Sequence, residues 1–137
     1  MIAAAFDYIP YVAAATGLCG LALAAYFYRL VTAESPGNER MVELMTAIQA
    51  GARAFLRREY RWVAGFVVAV AVLMFALLDY GRPWGAITYV CGAVFSATAG
   101  FVGMDIATKA NARTTHAAID GAHRALPLAF RGGAVMG

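Results

Sequence analysis

The run Pro83–Met104, PWGAITYVCGAVFSATAGFVGM, decides the fold. It holds about 22 residues and no Asp, Glu, Lys or Arg. A helix rises about 1.5 Å per residue, so a run of this length crosses the ~30 Å hydrocarbon core of a bilayer. Two further runs precede it. Tyr8–Tyr28, between Asp7 and Arg29, holds about 21 residues, and Trp62–Leu78 about 17, the short end of what can cross. Tyr60 and Arg61 can reach the interface by snorkelling, which lengthens the second span. Membrane strands would show short alternating runs rather than unbroken apolar ones. The expected fold class is all-α, a polytopic membrane helix bundle with three complete transmembrane helices.

Composition points the same way. Of 137 residues, 62% are hydrophobic and 14% charged, with a mean hydropathy of +0.66. A soluble domain carries nearer ~25% charge and needs polar surface that this chain lacks. The formal charge of +3 sits between the apolar runs rather than along one face, which argues against a nucleic-acid partner. Cys19 and Cys91 each fall within an apolar run, without metal-ligand spacing, and read as small packing hydrophobes buried in lipid. Ala13-Ala14-Ala15 resembles a signal cleavage site. There is no basic stretch before it, however, and the apolar run is too long for a secretory signal.

The arginines orient the bundle. Arg29, Arg40, Arg53, Arg57, Arg58 and Arg61 lie between the first two spans, and only Arg82 between the second and third. Lys109, Arg113, Arg124 and Arg131 follow the third. The positive-inside rule places segments 29–61 and 105–131 in the cytoplasm, with the N-terminus and the Asp79–Trp84 turn outside. This is the expected topology of a multi-pass protein of the cell (inner) membrane. Tyr8, Tyr11, Tyr26, Tyr28, Tyr60, Trp62, Tyr80 and Trp84 sit near the ends of the runs, as interfacial aromatics do.

The segment before the second span is itself helical in pattern. Met41, Leu44, Met45, Ile48, Ala52, Phe55 and Leu56 recur at spacings of three and four, after the turn chemistry of Ser35-Pro36-Gly37-Asn38. No breaker follows Arg61, so one helix is expected from Asn38 to Leu78, on the order of 60 Å long and extended into the cytoplasm. Small residues mark candidate helix contacts: Gly17 and Gly20 in the first span, Gly65 and Ala69 in the second, and Ala93, Ser96, Ala97, Gly100 and Gly103 in the third. The contact reading is strongest around Ser96 and Gly100. After the polar stretch Thr108–Arg124, apolarity returns at Ala125–Phe130. A fourth span is expected to begin near 125 and to be cut off at Gly137, which makes residues 1–137 a single membrane region, the N-terminal fragment of a larger domain.

Chemistry is sparse. None of the three spans holds an Asp, Glu, Lys or Arg, the usual pointer to an ion path. Thr16, Thr88, Ser96 and Thr98 are their polar residues, and such hydroxyls usually bond to their own helix. Asp105 reads as a solvated interfacial carboxylate. Glu34, Glu39, Glu43, Glu59, Asp105 and Asp120 are dispersed, without the clustering that holds magnesium, and there is no Walker-type loop. His116 and His123, seven apart, would share a helix face but lack further ligands. Lys109, Arg113, Arg124 and Arg131 read as topology-setting charge rather than a phosphate site. No catalytic, cofactor-binding or metal-ligating residue is assigned.

Three stretches carry a resemblance. They are Met41–Leu44 with Ile48–Tyr60 (MVEL…IQAGARAFLRREY), Gly103–Thr115 (GMDIATKANARTT) and Ala125–Gly137 (ALPLAFRGGAVMG). In order and spacing they resemble the helix leading into the second span, the junction after the third and the entry to the fourth in membrane-bound, ion-translocating inorganic pyrophosphatases. The resemblance covers the chain from about residue 36 onward and implies a homodimer of about sixteen spans per subunit. Such an enzyme hydrolyses pyrophosphate with Mg2+ on the cytoplasmic side and moves protons, or sodium, across the bilayer. The family's substrate, metal and gate motifs lie on later helices, and no residue here matches them. The resemblance therefore implies an outer-ring scaffold that binds no cofactor itself, is inactive alone, and has lipid and the remaining helices as partners. The alternative is a self-contained small helix-packing membrane subunit without catalytic activity. A channel fits worst, because nothing polar lines a path.

Overall fold

Asn38 starts the longest element. Its carbonyl accepts from the Val42 N–H at 3.1 Å and its Oδ1 from the Met41 N–H at 3.0 Å, pairing donors that a helix start leaves open. Gly37 before it holds φ +93°, the left-handed region, and a side chain there would also meet Met41 Sδ and His116. From this cap, helix α2 runs unbroken from Glu39 to Leu77, with no proline inside it.

The computed structural model describes residues 2–77 and 83–137, with side chains from residue 8 onward. Helix α1 (Ile2–Ala33) precedes α2, and α3 (Trp84–Ile119) and α4 (Ala122–Met136) follow, with no strand among the described residues. The chain is an all-α bundle. Helices α1, α2 and α3 are each long and apolar enough to cross a membrane. Arg82, Tyr80 and most of the turn expected between the second and third spans lie outside the described residues, as does the Leu78 end of the second span.

Helix α3 is the hub, packing against α1, α2 and α4. It runs antiparallel to α2 in one register along their shared length. The Met74 methyl lies 3.9 Å from where a Gly85 side chain would begin, Tyr60 bonds to Ala97, Met45 lies by Arg113, and Gly37 at the start of α2 lies by His116. The junction after the third span is not a loop: α3 continues from Met104 to Ile119 as the same helix. It then ends at Gly121, whose φ of +118° only glycine adopts readily.

Helix α4 turns back along this extension. Its buried residues Ala125, Leu128 and Gly132 recur at spacings of three and four. Gly132 lies against Ala110, and Met136 against Gly103. The fourth helix thus begins at Ala122 and reaches the level of the third span's end only at Met136. His116 and His123, expected on one face, are on different helices separated by the Gly121 turn.

The core sits beyond the spans. Val31, Ile106, Ala110 and Leu128 pack together, joined by Tyr28, Ala117 and Val135. Within the spans the large apolar side chains point outward: Leu21 is 70% exposed and Phe95 75%. Such faces call for lipid or further helices. Gly17, Gly20 and Gly65 look onto open space, whereas Gly100 and Gly103 make the close approaches expected of the third span. Cys19 and Cys91 are free and lie on exposed faces of α1 and α3.

Candidate functional site

Where α1 leaves its span it meets the extension of α3, and a closed ring of polar groups joins them. Tyr28 donates to Asp105 Oδ2 at 2.8 Å. Lys109, one turn after Asp105, donates to the same oxygen at 2.7 Å and to Tyr28 Oη at 2.8 Å. Its ammonium also lies 5.3 Å from the centre of the Tyr28 ring, within cation–π range. The Asp105 side chain is 20% exposed and that of Lys109 27%. Asp105 is therefore a paired, largely covered carboxylate and not a solvated one, and Tyr28 is an interhelical donor.

The electrostatics follow from the geometry. Burial pushes the Asp105 carboxyl up, but hydrogen bonds from Lys109 and Tyr28, with the charges of Lys109 and Arg53, together outweigh it and hold the group below its ordinary range. The Asp105 hydrogen bond, then that of Tyr28, holds Lys109 above its ordinary range against the opposing effect of burial. Both groups lie past Met104 and so outside the third span.

One turn further along, Arg113 closes the end of α1. Its Nε donates to the Glu34 carbonyl at 3.0 Å, and its terminal nitrogens reach the carbonyls of Lys109 at 3.0 Å and Thr32 at 3.5 Å. The last carbonyls of a helix lack partners within it and carry partial negative charge, which a guanidinium there both pairs and neutralises. Lys109 and Arg113, read from sequence as topology-setting charge, are thus structural donors. Arg124 pairs with Asp120 at 2.6 Å on the surface, and Arg131 is exposed.

A second interhelical bond lies at the start of the α2 span. Tyr60 donates to the Ala97 carbonyl at 2.7 Å, and a side chain on Gly100 would begin 3.1 Å from the Tyr60 oxygen. Gly100 is small where α2 needs the room. The hydroxyls of Thr16, Thr88 and Thr98 donate to carbonyls of their own helices.

The ring and the arginine fasten helices. Asp105 Oδ2 already accepts from Lys109 and Tyr28, Glu43 and Asp120 are each paired with an arginine, and no group of three or more His, Cys, Asp or Glu could hold a metal among the described residues.

A family model described as inorganic H+ pyrophosphatase matches residues 18–137. The chain belongs to this family. Its relatives include the K(+)-insensitive pyrophosphate-energized proton pump of Methanosarcina mazei, 45% identical over 121 residues, which covers 88% of this chain and 18% of the pump. A putative K(+)-stimulated pyrophosphate-energized sodium pump of Clostridium tetani is 43% identical with the same coverage. The K(+)-insensitive pyrophosphate-energized proton pump 2 of Moorella thermoacetica is 39% identical over 132 residues, 96% of this chain and 18% of the pump. The chain spans about a fifth of the length of these curated relatives. Membership of this membrane family and the three apolar helices together make it an integral membrane segment. The fastened region Tyr28–Arg113 and all of α4 lie within the matched residues.

Proposed function

We propose that this chain is an outer scaffold segment of a pump that couples pyrophosphate hydrolysis to the movement of protons or sodium across a membrane. The observation that carries the reading is the family match over residues 18–137. It is supported by where the polar groups go: Asp105, Lys109 and Arg113 are spent on joining α1 to α3. Magnesium and pyrophosphate would then be held by the remainder of a longer chain, and the partners of this segment are the bilayer, those remaining helices and a second subunit. The charge distribution supports segments 29–61 and 105–131 in the cytoplasm, with the amino terminus on the far side. The family match does not favour a self-contained packing subunit.

The test is a transplant. This segment replaces its counterpart in the Methanosarcina mazei pump, and hydrolysis and pyrophosphate-driven ion uptake are measured in vesicles. The expected chimera assembles and retains both. A chimera that assembles in normal amount but neither hydrolyses pyrophosphate nor moves ions contradicts the reading.

A further inference from the structure

The half of α2 that extends beyond the membrane has two apolar faces, and only one of them is covered. Met41, Met45, Gln49, Ala52, Leu56 and Tyr60 are buried or half-buried along the side that meets α3. About 100° around the helix, Leu44, Ile48, Gly51 and Phe55 form a second line at spacings of four, three and four. Leu44 and Ile48 are each 49% exposed and Phe55 is 58% exposed. Nothing lies within 4 Å of where a Gly51 side chain would begin. Among the described residues, neither α1 nor α4 touches α2.

In the register that pairs Tyr60 with Ala97 and Met45 with Arg113, Leu44, Ile48 and Gly51 stand beside the extension of α3 past Met104, and Phe55 is level with the end of the third span. An apolar line that continues from the membrane edge past the span, with a glycine within it that lets another backbone come close, is the surface a packed helix leaves when its neighbour is absent. Its rim is charged. Arg58, three residues after Phe55, and Glu59, four after it, are exposed on its two sides and make no ion pair among the described residues, whereas Arg40 is paired with Glu43 at 2.6 Å. Four-fifths of the length of the matched relatives is not represented in this chain.

Building on the pump reading above, we propose that Leu44, Ile48, Gly51 and Phe55 seat a further extramembrane helix supplied by the remainder of the same, longer chain. That helix is apolar where it meets the line and carries an acidic residue where it meets Arg58. Helix α2 is then the keel of the segment, with α3 on one side and the rest of the pump on the other.

The experiment uses a full-length family pump carrying this chain as its corresponding segment, with Cys19, Cys91 and every cysteine of the remaining pump replaced by Ala. Single cysteines are introduced as Ile48→Cys and Phe55→Cys and labelled with a membrane-impermeant maleimide in inside-out vesicles and again after unfolding in SDS. The expected result is labelling at least tenfold slower in the native pump. Cross-linking from residue 55 is expected to join it to a peptide beyond residue 137 of the same chain that contains Asp or Glu. Gly51→Leu, whose Cβ meets nothing within 4 Å among the described residues, is expected to raise native labelling at position 48 at least fivefold. Native labelling at the unfolded rate overturns the proposal, as does a cross-link between residue 55 of two copies, or protection unchanged by Gly51→Leu. Pyrophosphate hydrolysis by the cysteine-free parent is read separately. An inactive parent with a protected face contradicts the pump reading alone, and an active parent with a bare face contradicts this proposal alone.

Discussion

Tyr28 donates its phenolic proton to Asp105 across 77 positions of the chain, at 2.8 Å. With Lys109 bonded to both, this contact fixes the end of α1 against α3 at a point where the two spans above it stay apart. Between those spans an open apolar groove of about 780 Å³ separates Leu21 and Ala25 on α1 from Phe95 and Val102 on α3. The first helix is therefore held at its inner end, by polar bonds and the small core around Ile106, rather than along its length.

Removing the hydroxyl tests that fastening. Tyr28→Phe keeps the ring and its apolar packing but leaves Asp105 and Lys109 with only each other. A hydrogen bond to a charged group that is largely covered contributes on the order of 1–2 kcal/mol net. Thermal unfolding of the chain in nanodiscs is expected to show a loss of that size for Tyr28→Phe. A transition unchanged from the parent would mean the ring carries no load.

The pH dependence has a definite sign. Asp105 titrates below the ordinary carboxylate value of about 3.9, so its contribution is present above that pH and is lost as pH falls through the lowered value. Lys109 titrates above the ordinary value of about 10.4, so its contribution is present below that pH and is lost as pH rises through the raised one. The stability difference between parent and Asp105→Asn is expected to be flat between these limits and to shrink toward strong acid. A difference that varies steeply through neutrality contradicts the assignment.

Two adjacent glycines are expected to respond in opposite directions. A side chain on Gly132 would begin 2.8 Å from Ala110 Cβ, which cannot rotate away, so Gly132→Ala must push α4 off α3. A loss of about 1–3 kcal/mol is expected from such overpacking. Gly133 meets nothing within 4 Å, and Gly133→Ala is expected to stabilise α4 by roughly 0.5–1 kcal/mol through helix propensity. Parallel melting curves of the two variants check the pair, and losses of equal size would contradict the packing of α4.

Arg113 is expected to be hard to replace. Its planar fork serves the carbonyls of Glu34, Thr32 and Lys109 at once, which the single ammonium of lysine does not reproduce. Hydrogen exchange over residues 30–36 is expected to quicken in Arg113→Ala, with only partial recovery in Arg113→Lys. Full protection in the lysine variant would show that charge alone suffices.

The spans and the long α2 helix were legible because hydropathy and three-four periodicity are local signals, and the Asn38 cap was written in the turn residues before Glu39. The extension of α3 was less visible, since Asp105, Lys109 and Arg113 interrupt its apolar pattern. In hindsight Ile106, Ala110, Arg113 and Ala117 keep the spacing of one helical face. The fastening site was not legible at all. Nothing near Tyr28 in the chain distinguishes it from the neighbouring Tyr26, because its partner lies on another helix. The two histidines part for a related reason: their spacing suits one helix, but Gly121 between them reverses the chain.

The central claim is that this segment braces a pump without performing its chemistry. The most direct measurement places the purified chain in liposomes with magnesium and pyrophosphate and follows phosphate release against protein-free liposomes. No release above that background is expected; magnesium-dependent release by the chain alone would contradict the account.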